Sequence, residues 1–411
     1  MSLLERDGKA YERILDFPLD ELSMFLIFLT VALIFVLLMI SRVRRNLLWR
    51  ASVTPLASII GSGFLVLGPV LVHHFGWTAP VIMLILCLLA WGFGSALRAN
   101  IRRIGEGQRP DSQLERISAW ILSVAYMISV AYYLNLFGSF AVSLTPFNTL
   151  EAGRGVTTAV YLVILILGCW RGFRALESVE YQTVAIKLAV IGALIVALTH
   201  FTVRAFQAEA LLRPVINIGG WEAITLVFGL LITVQGFETS RYLGASYTAP
   251  VRVRSMKLAQ LIATVIYVLY VTLLTYSITM PQNDVNETEI IRLMGQVSVV
   301  LPVMLVVAAL AAQFSAAVAD TGGAGGLLEE VSRKTVSERQ GYVAVCIVGL
   351  LLTWVADVFT IIVIASRAFA FYYAVQAYIA AQHARGGDKV VYASMGFVAL
   401  AAALLGTSVS A

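Results

Sequence analysis

Apolar residues fill this chain in runs of membrane-spanning length, and the polar positions gather in short loops between them. A helix rises about 1.5 Å per residue and a hydrocarbon layer is roughly 30 Å thick, so about 20 apolar residues cross it. Twelve segments meet or approach that length. They run from Leu22 to Ile40, Ala51 to Leu71, Ala79 to Leu97, Ile117 to Leu144, Thr157 to Trp170 and Val179 to Leu198. The second six begin at about Trp221 and continue with Leu258 to Met280, Ser298 to Leu328, Tyr342 to Ala356, Val358 to Ala381 and Val390 to Leu405. The tenth and eleventh are close enough to be one long helix bent at Asp357. The pattern predicts an all-α polytopic membrane protein of about 12 transmembrane helices.

Composition agrees. Of 411 residues, 59% are hydrophobic and 13% charged, and mean hydropathy is +0.86, which no ordinary soluble domain approaches. The net charge of +5 is no argument for nucleic acid, because the basic residues sit in the loops. Met1 to Asp20 is polar and mixed in charge, unlike a signal peptide. Cys87, Cys169 and Cys346 lie in apolar runs without metal-ligand spacing and read as packed thiols.

The loops carry the orientation. Alternate loops hold 19 lysines and arginines, among them Arg42, Arg102, Arg252, Arg333 and Lys389, and the opposite set holds 7. The basic set is therefore expected on the cytoplasmic side, with both termini and the Pro281–Glu287 loop outside. Lys187, Arg241 and Arg367 belong to neither set because they fall inside spans.

Two spans carry an interruption. The second contains Gly61-Ser-Gly63 and the seventh Gln235-Gly-Phe-Glu238. Glycine disfavours helix, a carboxylate in hydrocarbon is costly, and irregular backbone at that depth is tolerated only against protein or a cavity. Each site reads as a broken helix facing a substrate, or else as a continuous helix with small packing residues. The two lie five spans apart, the spacing of an inverted-repeat transporter. On that reading the repeats are spans two to six and seven to eleven. Residues 1–21 form a tail, 22–50 an extra leading helix and basic loop, 51–383 the ten-helix core and 384–411 an extra trailing helix.

Depth ties several groups together. Counted from the basic loops at about 1.5 Å per residue, Gly61, Glu238, Lys187 and Asp320 all lie roughly 15–18 Å deep, near the middle of the layer. Lys187 is too deep to snorkel easily; it either pairs with a buried carboxylate or releases its proton. Asp320 is its candidate partner, and Asp320 with Thr321 is alternatively a sodium site. Arg241, three residues after Glu238, suits a same-face pair. The glycines from Gly322 to Gly326 permit close helix approach or a kink. Tyr126, Tyr132 and Tyr133 give the fourth span polar aromatic edges.

Ile59-Ile-Gly-Ser-Gly-Phe-Leu-Val-Leu-Gly-Pro69 resembles the first-helix signature of the amino acid–polyamine–organocation (APC) permease superfamily. Gln235-Gly-Phe-Glu238 resembles its sixth-helix break, and Thr183-Val-Ala-Ile-Lys-Leu188 its fifth-helix lysine motif in sodium-independent members. The resemblance covers about Ser52 to Ala381. It implies a five-plus-five inverted-repeat core of the LeuT type, with a substrate carboxylate at Gly61, Ser62 and Gly63 and side-chain contacts near Gln235 to Glu238. In similar permeases the matching lysine stands where sodium sits in sodium-coupled relatives, which implies proton coupling.

The expected function is secondary active transport of amino acids or related small amines, proton-coupled, across a bacterial cytoplasmic membrane. The candidate substrate contacts are Ile60, Gly61, Ser62, Gly63, Tyr132, Gln235, Gly236, Phe237 and Glu238. The candidate proton carriers are Lys187, Asp320 and Glu238. The rivals are a sodium-coupled transporter using Asp320 and Thr321, and a transporter-fold sensor that binds without transport. No nucleotide loop, metal-spaced histidines or nucleophile–base pair marks an enzyme, and neither a cofactor nor a metal is expected.

Overall fold

The computed structural model describes residues 21–61, 63–105, 112–171, 177–281 and 285–408. Ser62, most of the N-terminal tail and part of the Pro281–Glu287 loop lie outside them.

All regular structure among the described residues is helical. The leading span is α1 (Glu21–Met39). The second span is two helices, α2 (Leu47–Ile59) and α3 (Gly63–Phe75). Then come α4 (Ala79–Gly105), α5 (Ser112–Val142), α6 (Leu150–Arg171) and α7 (Glu177–Gln207). The seventh span is again split, into α8 (Gly220–Gly229), a 3₁₀ turn Leu231–Val234 and the short α9 (Thr239–Tyr242). The chain finishes with α10 (Ala249–Ser277), α11 (Leu301–Val331), α12 (Glu338–Val355), α13 (Val358–His383) and α14 (Gly386–Leu405).

Nine helices among the described residues are long and apolar enough to cross a membrane, α3 and α4 being counted there as one. The other three expected crossings are the leading helix and the two split spans. The leading helix falls under the shorter apolar helices, at Ser23–Met39, and the split spans are divided into helices of 13, 13, 10 and 4 residues, each too short to cross alone. Outward faces carry residues such as Leu33, Val81, Ile166, Val265 and Leu404, all exposed, as a lipid-facing surface requires.

The core has two-fold internal order. Equivalent helices of the two repeats pack on each other: α4 on α10, α5 on α11 and α6 on α12. The split spans meet at the middle, where α9 touches α2 and the 3₁₀ turn touches α3. Glycine sets the closest approaches. A Cβ on Gly341 would stand 2.7 Å from Gly325 Cα, and one on Gly138 2.2 Å from the Gly153 carbonyl oxygen. The Gly322–Gly326 run therefore serves packing within α11, which continues through it without a break.

The added helices are tied to the core differently. α1 lies along α7, where the Tyr181 hydroxyl donates to the Leu38 carbonyl at 2.6 Å. α14 lies along α13, and its end turns into the seventh span. There Thr407 N–H donates to the Thr225 carbonyl at 3.0 Å and Arg367 Nε to the Gly406 carbonyl at 2.9 Å.

The tenth and eleventh spans are separate helices. Ala356 is extended, and Asp357 caps α13 by accepting from Thr360 N–H at 2.9 Å and from the Thr360 hydroxyl at 2.5 Å. Burial alone would raise this carboxyl, but the bonds from Thr360 outweigh it and hold Asp357 below its ordinary value. Its charge therefore stabilises the helix start at neutral pH, and that contribution is lost as pH falls through the depressed value. Replacing it, Asp357→Ala, is expected to cost about 1 kcal/mol, read as a lower unfolding temperature in detergent at pH 7; the deficit should shrink on acidification. An equal deficit at all pH values would contradict the cap.

Candidate functional site

The split in the second span follows from its residues. α2 ends at Ile59, and Ile60 leaves the helix with φ −83° and ψ 63°. Gly61 follows, and α3 resumes at Gly63. In the seventh span Gln235 is extended and Gly236 takes φ +116°, a region open to glycine and costly to other residues. A Cβ there would also lie 2.6 Å from Ile59 N and from the Ser58 carbonyl carbon. Gly236 thus both turns its own chain and lets it touch the end of α2.

Peptide groups freed by the splits find partners across the contact. Tyr267 of α10 donates to the Ile59 carbonyl at 2.5 Å and lies 3.2 Å from the Thr233 carbonyl, so one hydroxyl holds both broken spans. Ser366 of α13 accepts from Ile232 N–H at 2.9 Å. Lys187 of α7 donates to the Ala57 carbonyl at 2.8 Å, one of the last carbonyls of α2, where the helix end carries partial negative charge.

Glu238 is wholly buried at this contact. One carboxylate oxygen accepts from Gly236 N–H at 3.0 Å and from the Tyr373 hydroxyl at 2.8 Å, and the other has no hydrogen-bond partner. Phe237 stacks on Tyr373 at 5.1 Å between ring centres. Gln235 donates to the Tyr133 hydroxyl at 3.4 Å, and its carbonyl oxygen is unpartnered. Tyr133 also stands against Gly61, where an added Cβ would be 3.6 Å from its ring. Tyr132 faces Gly63 so closely that a Cβ there would lie 2.2 Å from its hydroxyl, which has no partner.

The structure thus brings together Ile60, Gly61, Gly63, Tyr132, Gln235, Gly236, Phe237 and Glu238; Ser62 lies outside the described residues. Two pairings expected from the sequence are corrected. Lys187 and Asp320 form no ion pair, since Lys187 bonds Ala57 whereas Asp320 takes the Ser129 hydroxyl of α5. Thr321 donates to the Ala317 carbonyl at 2.6 Å in its own helix. Arg241 does not meet Glu238. It pairs with Glu115 of α5 and donates to Gln376 of α13 at 2.5 Å. Glu238 and Arg241 lie one helical turn apart across the start of α9, but the Glu238 carboxylate turns back to Gly236 N–H and Tyr373 while Arg241 reaches out to α5 and α13.

Tyr267, Ser366, Tyr373 and Ser129 contribute to this centre without any sequence signal. Each is one of several hydroxyls in its span, and only tertiary packing aims it. Arg367 bonds the Gly406 carbonyl away from this contact.

A family model described as "APC superfamily transporter" matches residues 41–410. An uncharacterized protein of Aquifex aeolicus (strain VF5) is 42% identical over 346 residues, covering 82% of this chain and 84% of the relative. Among solved structures, the fold resembles the nucleobase-cation-symport-1 family transporter MHP1, closed with bromovinylhydantoin bound. Its TM-score is 0.56 at 13% identity, over 85% of this chain and 89% of that one. A manganese transporter of Eremococcus coleocola gives the same TM-score, 0.56, at 13% identity over 87% and 86%. These structural likenesses show the LeuT-type fold. The chain, a multi-pass integral membrane protein, belongs to the APC superfamily of transporters.

Proposed function

We propose that this transporter carries amino acids or related small amines across a bacterial cytoplasmic membrane in exchange with or alongside protons. The observation that supports this most is the buried Glu238 carboxylate with one oxygen unpartnered at the contact of the two broken spans. A buried charged acceptor left without a donor costs about 1–3 kcal/mol or more. A substrate ammonium group or a proton removes that cost, so the site favours a cationic nitrogen or protonation. The first amides of α3 have no intrahelical partners, and the positive end of that half-helix suits a carboxylate. Gly61 and Gly63 bare the backbone there. An α-amino acid presents both groups a few bonds apart.

Proton coupling is supported by where Lys187 sits. Its ammonium occupies the carbonyl end of α2, a place a coupling cation would otherwise take. Loss of its proton would turn the bond to the Ala57 carbonyl from a charge-assisted into a weaker neutral one and loosen α2 from α7. Asp320 and Glu238 supply two further proton acceptors. Sodium coupling through Asp320 and Thr321 is the rival. Replacing sodium by choline during uptake into proteoliposomes separates the two, since proton-driven uptake is expected to be unchanged.

Three changes test the site. Lys187→Gln is expected to reduce uptake driven by a pH gradient at least tenfold while a thermal-shift screen still detects the same ligand; unchanged driven uptake would remove Lys187 from the coupling. Glu238→Gln is expected to weaken binding of amine-bearing ligands at least tenfold, and retained affinity would reject its contact with the ammonium. Gly236→Ala forces a side chain into a left-handed backbone conformation that costs about 1–3 kcal/mol. It should lower the unfolding temperature and abolish uptake, and a fully active Ala variant would contradict the contact with α2.

A further inference from the structure

A second polar centre lies nearer the arginine-rich face, under the short helix α9. A cavity of about 420 Å³ opens there between the ends of α4, α5, α10 and α11. Its wall includes Glu115, Arg116, Arg241, Arg252 and Arg333. Arg103 stands behind Glu115, 3.9 Å from its carboxylate.

The charges do not balance. Arg103 and Arg252 are 7% and 8% exposed, and the Arg241 side chain is 9% exposed. Among the described residues, Arg103 and Arg241 both reach the one carboxylate Glu115, which Arg241 engages directly, and Arg252 is in no ion pair. Among those residues none of the three Arg103 side-chain nitrogens has a hydrogen-bond acceptor, and Arg252 Nε has none either. Arg252 spends one nitrogen on the Arg241 carbonyl at 2.5 Å. It also lies in the first turn of α10, where the helix end is itself positive. On the rim stand the exposed Arg116, Arg333 and Glu330.

Buried charges in proteins are paired, because an isolated one is costly to desolvate. Arg98, in the same helix as Arg103, shows how this chain meets that demand elsewhere. It is 3% exposed, yet bonds the Gln260 side chain at 2.5 Å and the Trp91 carbonyl at 3.2 Å, with its guanidinium 4.7 Å from the Trp91 ring centre. Among the described residues Arg103 lacks such partners, and Arg252, at the open cavity, has the Arg241 carbonyl alone.

We infer that this cavity is a binding site for a phosphate group, delivered from the cytoplasmic side either as free anion or as a lipid headgroup, with Arg252 as its buried anchor and Arg333 at its rim. A phosphate offers several acceptor oxygens to guanidinium donors and supplies the missing negative charge. It would sit beside the Arg241–Glu115 pair that links α9 to α5. The site shares no residue with the substrate centre and does not depend on what is carried.

The test uses the full chain purified in detergent. Inorganic phosphate is titrated against chloride at equal ionic strength while the unfolding temperature is followed. A saturable rise with phosphate is expected. Arg252→Gln and, independently, the exposed-rim change Arg333→Gln should each weaken the apparent affinity at least tenfold, and Arg42→Gln, exposed on the short helix Ser41–Arg44, should leave it unchanged. Arg333→Gln keeps the test valid if Arg252→Gln does not fold. Nanodiscs then separate the sources. If a headgroup is the natural ligand, phosphatidylglycerol raises the unfolding temperature over phosphatidylcholine and abolishes the further effect of phosphate. If the free anion is, phosphate acts equally in both. No difference between phosphate and chloride, or an undiminished response in both cavity variants, overturns the site.

Discussion

Peptide groups in hydrocarbon must find partners within the protein, and this chain interrupts two of its spans where that demand is hardest to meet. The solution is that the interruptions face each other. Gly236 comes against the end of α2, and the Tyr267 hydroxyl reaches the carbonyls of Ile59 and Thr233 on the two spans. Neither break would be tolerable alone. Repeat packing of α4 on α10 and α5 on α11 accompanies their meeting at one place, where the proposed substrate centre lies.

Satisfaction at that contact is incomplete in a patterned way. The carbonyls are filled by Tyr267 and Lys187, whereas acceptor oxygens on Glu238 and Gln235 and the Tyr132 hydroxyl are not. Structural groups are closed and the polar side chains at the breaks are left open. The same distinction separates Arg98, fully supplied by neighbours, from Arg103 and Arg252. Unmet hydrogen-bonding capacity in a tightly packed protein is rare, so its location carries information about what binds.

The spans were legible from the sequence because hydrocarbon imposes length and apolarity on every one of them. The breaks at Gly61 and Gly236 were legible because glycine beside a polar group at mid-span has few other uses. The Lys187–Asp320 pair was not realised, and the reason is geometric. Counting residues gives depth alone, and two groups at one depth on α7 and α11 can still look toward different neighbours. Arg241 was misplaced because the i, i+3 rule gives proximity along one helix and says nothing of stronger partners on other helices, which here are Glu115 for Arg241 and Tyr373 for Glu238. Tyr373, Tyr267 and Ser129 were invisible because a lone hydroxyl in an apolar run is indistinguishable from the many that bond their own helix, as Thr264 and Thr272 do.

The end of α14 ties these features to movement. Thr407 and Gly406 are pinned to Thr225 on α8 and to Arg367 on α13, and a Cβ on Gly229 would lie 1.9 Å from the Thr407 carbonyl oxygen. The trailing helix is thus a tie rod between α8 and α13: for the two to part, this short peptide would have to let go of one of them. A cargo fused close behind Thr407 would load that joint directly, whereas the leading helix, resting along α7, offers an attachment point away from it.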